Sequence, residues 1–244
     1  MTLKKVFAIT SVAMITQFFS ISYAQAESRP HNSISPLTNG AHASRIRFLP
    51  KLDRNNACFP YTAVDADGNF NAGLQDSGGE SSNCSLTTRQ QVYTRSARVN
   101  SNTHAIMYAY YFPKDNGRFI ASIGHRHDWE HVFVFVQDLG NVSREKIVGA
   151  VYSAHGDVSA TTNPNRDGNQ IFINYDYNGS VTHSFEEGNN GSNNGHVLIS
   201  YNRIPQAARD TLENQDFGSA IVPFRNRGNR WLSRLEQAKD ALGF

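Results

Sequence analysis

Apolar and polar positions along the chain fall into short, well-separated runs. Ala105–Phe112 is aromatic and aliphatic without a break, as a strand buried on both faces should be, and Pro113 is expected to end it. His131–Val136, β-branched and aromatic, predicts a second buried strand. Ile147–Ser153, Gln170–Tyr175, Val181–Phe185 and His196–Ser200 predict further short strands, separated by polar turns such as Asn163–Gly168 and Glu187–Gly195. Strands joined this way, with no alternation of strand and helix, predict a mainly β fold: a single-domain antiparallel β-sandwich. The C-terminal pattern changes period. Gln206–Asn214, entered at Pro205 and ending before Gly218, predicts a short helix. Asn229–Leu242 spaces Leu232, Leu235 and Ala238 as an amphipathic helix does. These helices are expected to flank the sandwich, whose domain spans 46–244 behind a Ser-, Pro- and Asn-rich mobile arm at 27–45.

The first 26 residues read as a secretory signal peptide: Lys4 and Lys5, an apolar stretch from Val6 to Tyr23, and a small-x-small cleavage site at Ala24-Gln25-Ala26. The stretch is short and polar-dotted for a membrane span. Its removal takes two of the 23 basic residues and none of the 21 acidic ones, leaving a formally neutral chain. A neutral protein has no field to gather polyphosphates, which argues against nucleic acid and polybasic membrane binding. Export also gives the two cysteines a meaning. An oxidising compartment favours a Cys58–Cys84 disulfide, which removes about 3.5 kcal/mol of unfolded-state entropy in the chain model. Asp65-Ala66-Asp67-Gly68-Asn69 lacks the Gly and Glu positions of an EF-hand and reads as a plain loop.

Chemistry concentrates in Gly124-His125-Arg126-His127-Asp128-Trp129-Glu130-His131, six of whose eight residues are titratable. Desolvating so many charges at the start of an apolar strand is costly unless they pair or hold an ion. Strand alternation puts Asp128 and Glu130 on one face and His127, Trp129 and His131 on the other. His125 has the wrong parity to join the carboxylates unless residues 124–126 are still loop. Asp115, in the turn leaving the Ala105–Phe112 strand, comes back beside Asp128 if the two strands are neighbours. Three carboxylates and one imidazole suit a hard divalent cation, Mg²⁺ or Ca²⁺.

Gly124-His125-Arg126-His127-Asp128-Trp129-Glu130 is the hallmark heptapeptide of the necrosis- and ethylene-inducing-like proteins, and the chain resembles that family. The likeness extends through Asp67–Leu74, Met107–Asp115, Ser153-Ala154-His155-Gly156, Thr182-His183 and Phe217–Ala220, in order along the chain. Two cysteines fit the two-cysteine class. Asn116–Ile123 is about two residues longer than the family pattern, and Arg225-Asn226-Arg227-Gly228 is more basic. The resemblance implies a β-sandwich flanked by helices, similar to fungal lectins and actinoporins. It implies a secreted cytolysin and virulence factor, monomeric in solution, acting at plant plasma membranes by docking on glycosylated sphingolipids of the outer leaflet, without a transmembrane helix. It implies cation ligands at Asp115, His125, Asp128 and Glu130. His155 and His183, in matched blocks, are candidates for the pocket or are structural. His127 is expected to brace the site through a hydrogen bond, and Trp129 to lie in the core.

Two other functions compete. His125-x-His127 with Glu130 resembles the ligand pattern of cupin metalloenzymes, with His155 as the available further ligand, although strand parity keeps both carboxylates off the face of His127. A carbohydrate-binding module without toxicity would use the same sandwich, with Tyr175 and Tyr177 as exposed sugar platforms.

Overall fold

The computed structural model describes residues 25–117 and 123–244. The predicted leader lies outside the described residues except for Gln25 and Ala26. The elements in chain order are β1 (Ser28–Arg29), α1 (Ala43–Ile46), β2 (Lys51–Asp53), β3 (Phe70–Asn71), β4 (Gln91–Arg98), β5 (Thr103–Asp115), β6 (His125–Gln137) and β7 (Lys146–Ala154). They continue with β8 (Asp157–Thr161), β9 (Arg166–Asp167), β10 (Gln170–Asp176), β11 (Ser184–Glu187), β12 (Val197–Ser200), α2 (Gln206–Asn214) and α3 (Arg230–Leu242).

A six-stranded sheet runs in the order β12-β4-β5-β6-β7-β8, and a smaller sheet pairs β11, β10 and β2, with β9 also on β10. Pairing is antiparallel except that β12 joins β4, β2 joins β10 and β1 joins β3 in parallel. The two sheets meet through aromatic rings. Phe112 stacks on Tyr175 with ring centres 4.0 Å apart, and Tyr110 meets Phe185 edge-on at 5.2 Å. On the opposite face of the large sheet, Trp129 and Tyr93 pack with Phe224, and Phe133 packs with Trp231 of α3. Covered on both sides, β5 and β6 are buried almost throughout, which is why their sequence is apolar without alternation.

Cys58 and Cys84 form a disulfide, with Cα atoms 5.0 Å apart. Gln206–Asn214 is helical as predicted, and the last helix starts one residue later than expected. Three expectations need correction. Pro113 does not end β5, which continues to Asp115; the ladder joins Phe112 to Asp128 and Lys114 to Arg126, passing over Pro113, so its missing N–H costs no bond. The Pro113 carbonyl instead accepts from Leu74 N at 2.7 Å. The segment 27–45 does not stand off as an arm: β1 pairs with β3, Ile34 and Leu37 are buried, and Leu37 N donates to Gln91 Oε1 at 2.6 Å. Val181 is exposed, and the strand predicted at Val181–Phe185 starts at Ser184.

Candidate functional site

The acidic residues gather at the end of the sandwich where β5 and β6 part. Cross-strand pairing sets Asp115 opposite His125, Phe112 opposite Asp128 and Tyr110 opposite Glu130. Asp128 and Glu130 face the smaller sheet, while Trp129 joins Tyr111 and Phe217 on the other face. His125 enters the group by a route that alternation does not foresee. It already belongs to β6, so no loop frees it. Instead His127 adopts a left-handed backbone (φ +61°), interrupting the pleat between His125 and Asp128. His125 Nε2 then lies 3.8 Å from Asp115 Oδ2, and its Nδ1 hydrogen-bonds to the His127 carbonyl at 2.7 Å.

Two glycines make room for this geometry. A Cβ at Gly124 would lie 2.1 Å from the Asp115 carbonyl oxygen, and one at Gly73, itself at φ +67°, would lie 2.6 Å from the His127 ring. Gly124 N donates to Asp76 Oδ2 at 2.8 Å, which fixes the entry to β6.

Each carboxylate is held by neutral or imidazole partners. Asp115, 1% exposed, accepts from His183 N at 2.9 Å and pairs with His183 Nδ1 at 2.5 Å. His183 is itself buried between Tyr175 and Tyr177, with ring centres 4.6 and 4.0 Å away, and its Nε2 has no hydrogen-bond partner among the described residues. Asp128 accepts from Tyr175 Oη at 2.7 Å and from Trp129 N at 2.9 Å. Glu130 accepts from Ser153 Oγ, which in turn accepts from His131 N at 2.8 Å. Among the described residues, neither Asp128 nor Glu130 has a Lys or Arg within ion-pair distance. Burial, reinforced by the neighbouring Asp115, pushes the Asp128 carboxyl up to about 6. Burial and the Asp128 charge push Glu130 well above the usual carboxylate range.

Among the described residues, no three His, Cys, Asp or Glu side chains stand as a ready-made metal cage. The donor set nonetheless fits a hard divalent cation in its chemistry: oxygen-rich, acidic, buried and, among the described residues, with no Lys or Arg in direct ion-pair contact with Asp128 or Glu130. The remaining candidates separate. His127 turns its ring to the far face, where Nδ1 bonds Tyr111 Oη at 2.6 Å, and it touches the acidic group through its backbone carbonyl. This corrects the cupin reading: the two imidazoles of His125-x-His127 do not converge. His155 is exposed, with Nδ1 3.5 Å from Thr182 Oγ1. Tyr175 and Tyr177 are buried rather than exposed platforms, because both pack on His183. Asp65 binds the backbone of Asp67 and Asn69, as a plain loop does. Sequence reasoning missed Ser153 and the hydroxyl of Tyr175. Ser153 opens a matched block, and Tyr175 is one of the alternating inward positions of β10.

The chain is 33% identical to the necrosis-inducing protein NPP1 of Phytophthora nicotianae, over 87% of this chain and 92% of that one. It is 35% identical to NLP effector protein 10 of Phytophthora capsici, over 91% and 94%. The fold matches a structure described as a toxin fold as basis for microbial attack and plant defense, with a TM-score of 0.76, 34% identity, and coverage of 86% of this chain and 99% of that one. It matches NLPPya in complex with glucosamine (TM-score 0.74, 33% identity, 86% and 98% covered) and the non-toxic HaNLP3 protein (0.76, 33%, 85% and 98%). The two Phytophthora relatives are named as a necrosis-inducing protein and an effector, and not as enzymes. Residues 42–238 match the family model of the necrosis inducing proteins (NPP1), and the chain belongs to that family.

Proposed function

We propose that the chain is a secreted cytolytic effector, not an enzyme, that recognises glycosylated sphingolipids of the plant plasma membrane through a divalent cation. Asp115, His125, Asp128 and Glu130 would hold the ion, Mg²⁺ or Ca²⁺. The observation that carries this reading is the set of buried carboxylates at one end of the sandwich, two of them with no Lys or Arg within ion-pair distance among the described residues. When bound, a hard cation supplies exchangeable coordination positions that sugar hydroxyls can take in place of water. The protein's own residues orient the carboxylates: His183 turns Asp115, Tyr175 turns Asp128 and Ser153 turns Glu130. The aminosugar complexes of NLPPya support a glycan ligand. The N-terminal leader pattern supports secretion. Peripheral membrane contact by a monomer belongs to the same reading; among the described residues no helix is long and apolar enough to cross a membrane.

The test is dye leakage from vesicles of plant sphingolipid, with and without chelator, beside Asp128→Asn. Leakage is expected to stop in chelator, return with added Ca²⁺ or Mg²⁺, and be absent for the variant. Chelator-indifferent leakage would overturn the cation reading. Glycan binding without lysis is the second reading, favoured by the fold shared with non-toxic HaNLP3. It predicts retention on the same vesicles with no leakage.

A further inference from the structure

A second charged site lies away from the acidic end, at the edge of the large sheet. Strand β12 covers β4 only from Gln91 to Thr94, so Arg95–Arg98 form a free edge beyond it. Beside that edge His42, Arg45, Thr94, Arg95, Tyr201 and Arg203 bound a cleft of about 240 Å³. Three arginines thus line one small space. Among the described residues each has only neutral hydrogen-bond partners. Arg45 donates to the Ser44 and Ser96 hydroxyls, Arg95 to the Phe224 carbonyl and Asn226 Oδ1, and Arg203 to the Asn39 carbonyl. Arg95 also lies 4.2 Å from the Tyr201 ring centre and 4.7 Å from that of Trp231.

The nearby carboxylates act on Arg45 and Arg95 through space but make their hydrogen bonds elsewhere. Glu145 binds Arg47 and Gly140 N, and Glu213 binds Asn226 N, Arg227 N and the Tyr201 hydroxyl. Thr94, 3% exposed, lines the same cleft, and its buried hydroxyl has no partner among the described residues. Arginine on a free edge also blocks pairing with other chains, but that role needs charges held out in water. Arg45 and Arg95 are half-buried, and burial pulls both below the usual guanidinium range. Holding partly desolvated guanidinium groups beside a void is costly unless an anion enters it.

We propose that this cleft binds a phosphate group, with Arg45 and Arg203 as its charged donors and Arg95 held in place by its stacking. Guanidinium forks match tetrahedral oxyanions, and a dry, unpartnered hydroxyl beside them marks a position where a ligand oxygen would recover a hydrogen bond. The phosphate can come from a soluble ester or from a lipid head group.

The experiment titrates inorganic phosphate into the protein in chelator, at constant ionic strength in chloride, and reads the thermal midpoint. A saturable rise in the wild type is expected, with affinity falling at least tenfold in the Arg45→Gln, Arg203→Gln double variant. A rise no larger than that from chloride, or one unchanged in the double variant, overturns the proposal. Should the double variant fail to fold, Thr94→Val serves: a several-fold loss of phosphate affinity supports the site, and none overturns it. Flotation with phosphatidic acid vesicles against phosphatidylcholine vesicles then separates the sources. Phosphate-competed retention on the former assigns a lipid head group, and phosphate binding without retention assigns a soluble ester.

Discussion

The two faces of β6 put the same few residues into unlike surroundings. Toward the smaller sheet, Asp128 and Glu130 sit beside Asp115 and draw hydrogen bonds from Tyr175 and Ser153. Toward α3, Trp129 and His131 sit among Tyr93, Phe133 and Phe224. One face carries buried charge that burial opposes, and the other carries apolar area that burial favours. A seven-residue signature spanning both therefore mixes two constraints, since adjacent strand residues answer to opposite faces. Mutations separate them. Trp129→Ala is expected to remove about 3–5 kcal/mol of stability, the usual cost of deleting a buried large aromatic side chain. Urea unfolding measures it. A loss under 1 kcal/mol would mean that the aromatic face is not the stabilising one.

The acidic face predicts the reverse. If Asp115, Asp128 and Glu130 hold a divalent cation, saturating Ca²⁺ or Mg²⁺ at a hundredfold excess over Kd stabilises the protein by about 2.7 kcal/mol. Chelator removes that gain from the wild type, and Asp128→Asn never shows it. Calorimetric melting with each ion and with chelator tests the point. A midpoint indifferent to both ions would leave the carboxylates with a purely structural role.

Without metal, the faces should also respond to pH with opposite signs. Asp128 is raised in the folded state, to about 6. Its contribution is therefore complete below the unfolded value near 4 and is lost as pH rises through 6. His131 is lowered to about 3 by burial, then by Arg234 and Arg230, and His127 to about 4 by burial, then by Arg126 and His125. Both histidines protonate more readily unfolded, so their contribution is lost as pH falls below about 6.5. The two trends oppose each other between pH 4 and 6. In chelator, Asp128→Asn should raise stability at pH 7 by on the order of 1–3 kcal/mol and leave the histidine slope exposed, with stability climbing from pH 4 to 6.5. An unchanged pH profile in that variant would sink the opposition of faces.

This split was legible in sequence to the extent that it follows period-two alternation. Asp128 with Glu130, and Trp129 away from both, come directly from strand parity. The β-sandwich, the disulfide and α2 follow as directly from turn spacing, cysteine count and helical period. What stayed hidden depends on contacts remote in sequence. His125 reaches Asp115 because one residue, His127, takes a left-handed backbone, a choice fixed by the ring's bond to Tyr111 and its fit against Gly73. His183 meets Asp115 from 68 residues away, and Tyr175 meets Asp128 from 47. Strand β4, Gln91–Arg98, reads as polar because its side chains take up hydrogen bonds and stacking in place of apolar contact: Gln91 bonds the Leu37 and Val197 backbones, and Arg95 lies on two aromatic rings. The segment 27–45 is tied down by Ile34 and Leu37, too few apolar positions to show a period.

Ser153 offers the finest test, because its hydroxyl touches both sides of the comparison. It donates to Glu130 on the acidic face and accepts from the backbone N–H of His131, the next residue along β6. Ser153→Ala removes only one oxygen from the interior, so its cost comes from the orphaned groups, about 1–3 kcal/mol for a buried donor or acceptor left unpaired. Were Glu130 a structural carboxylate, that loss would be the whole effect, the same with or without metal. If Glu130 is a ligand, Ser153 sets its direction, and the variant should also bind Ca²⁺ several-fold more weakly while the chelated proteins differ only by the hydrogen-bond cost. Calcium titration of both proteins followed by melting distinguishes the cases, since a positioning role appears in the ion-dependent part of the midpoint and a packing role in the ion-independent part.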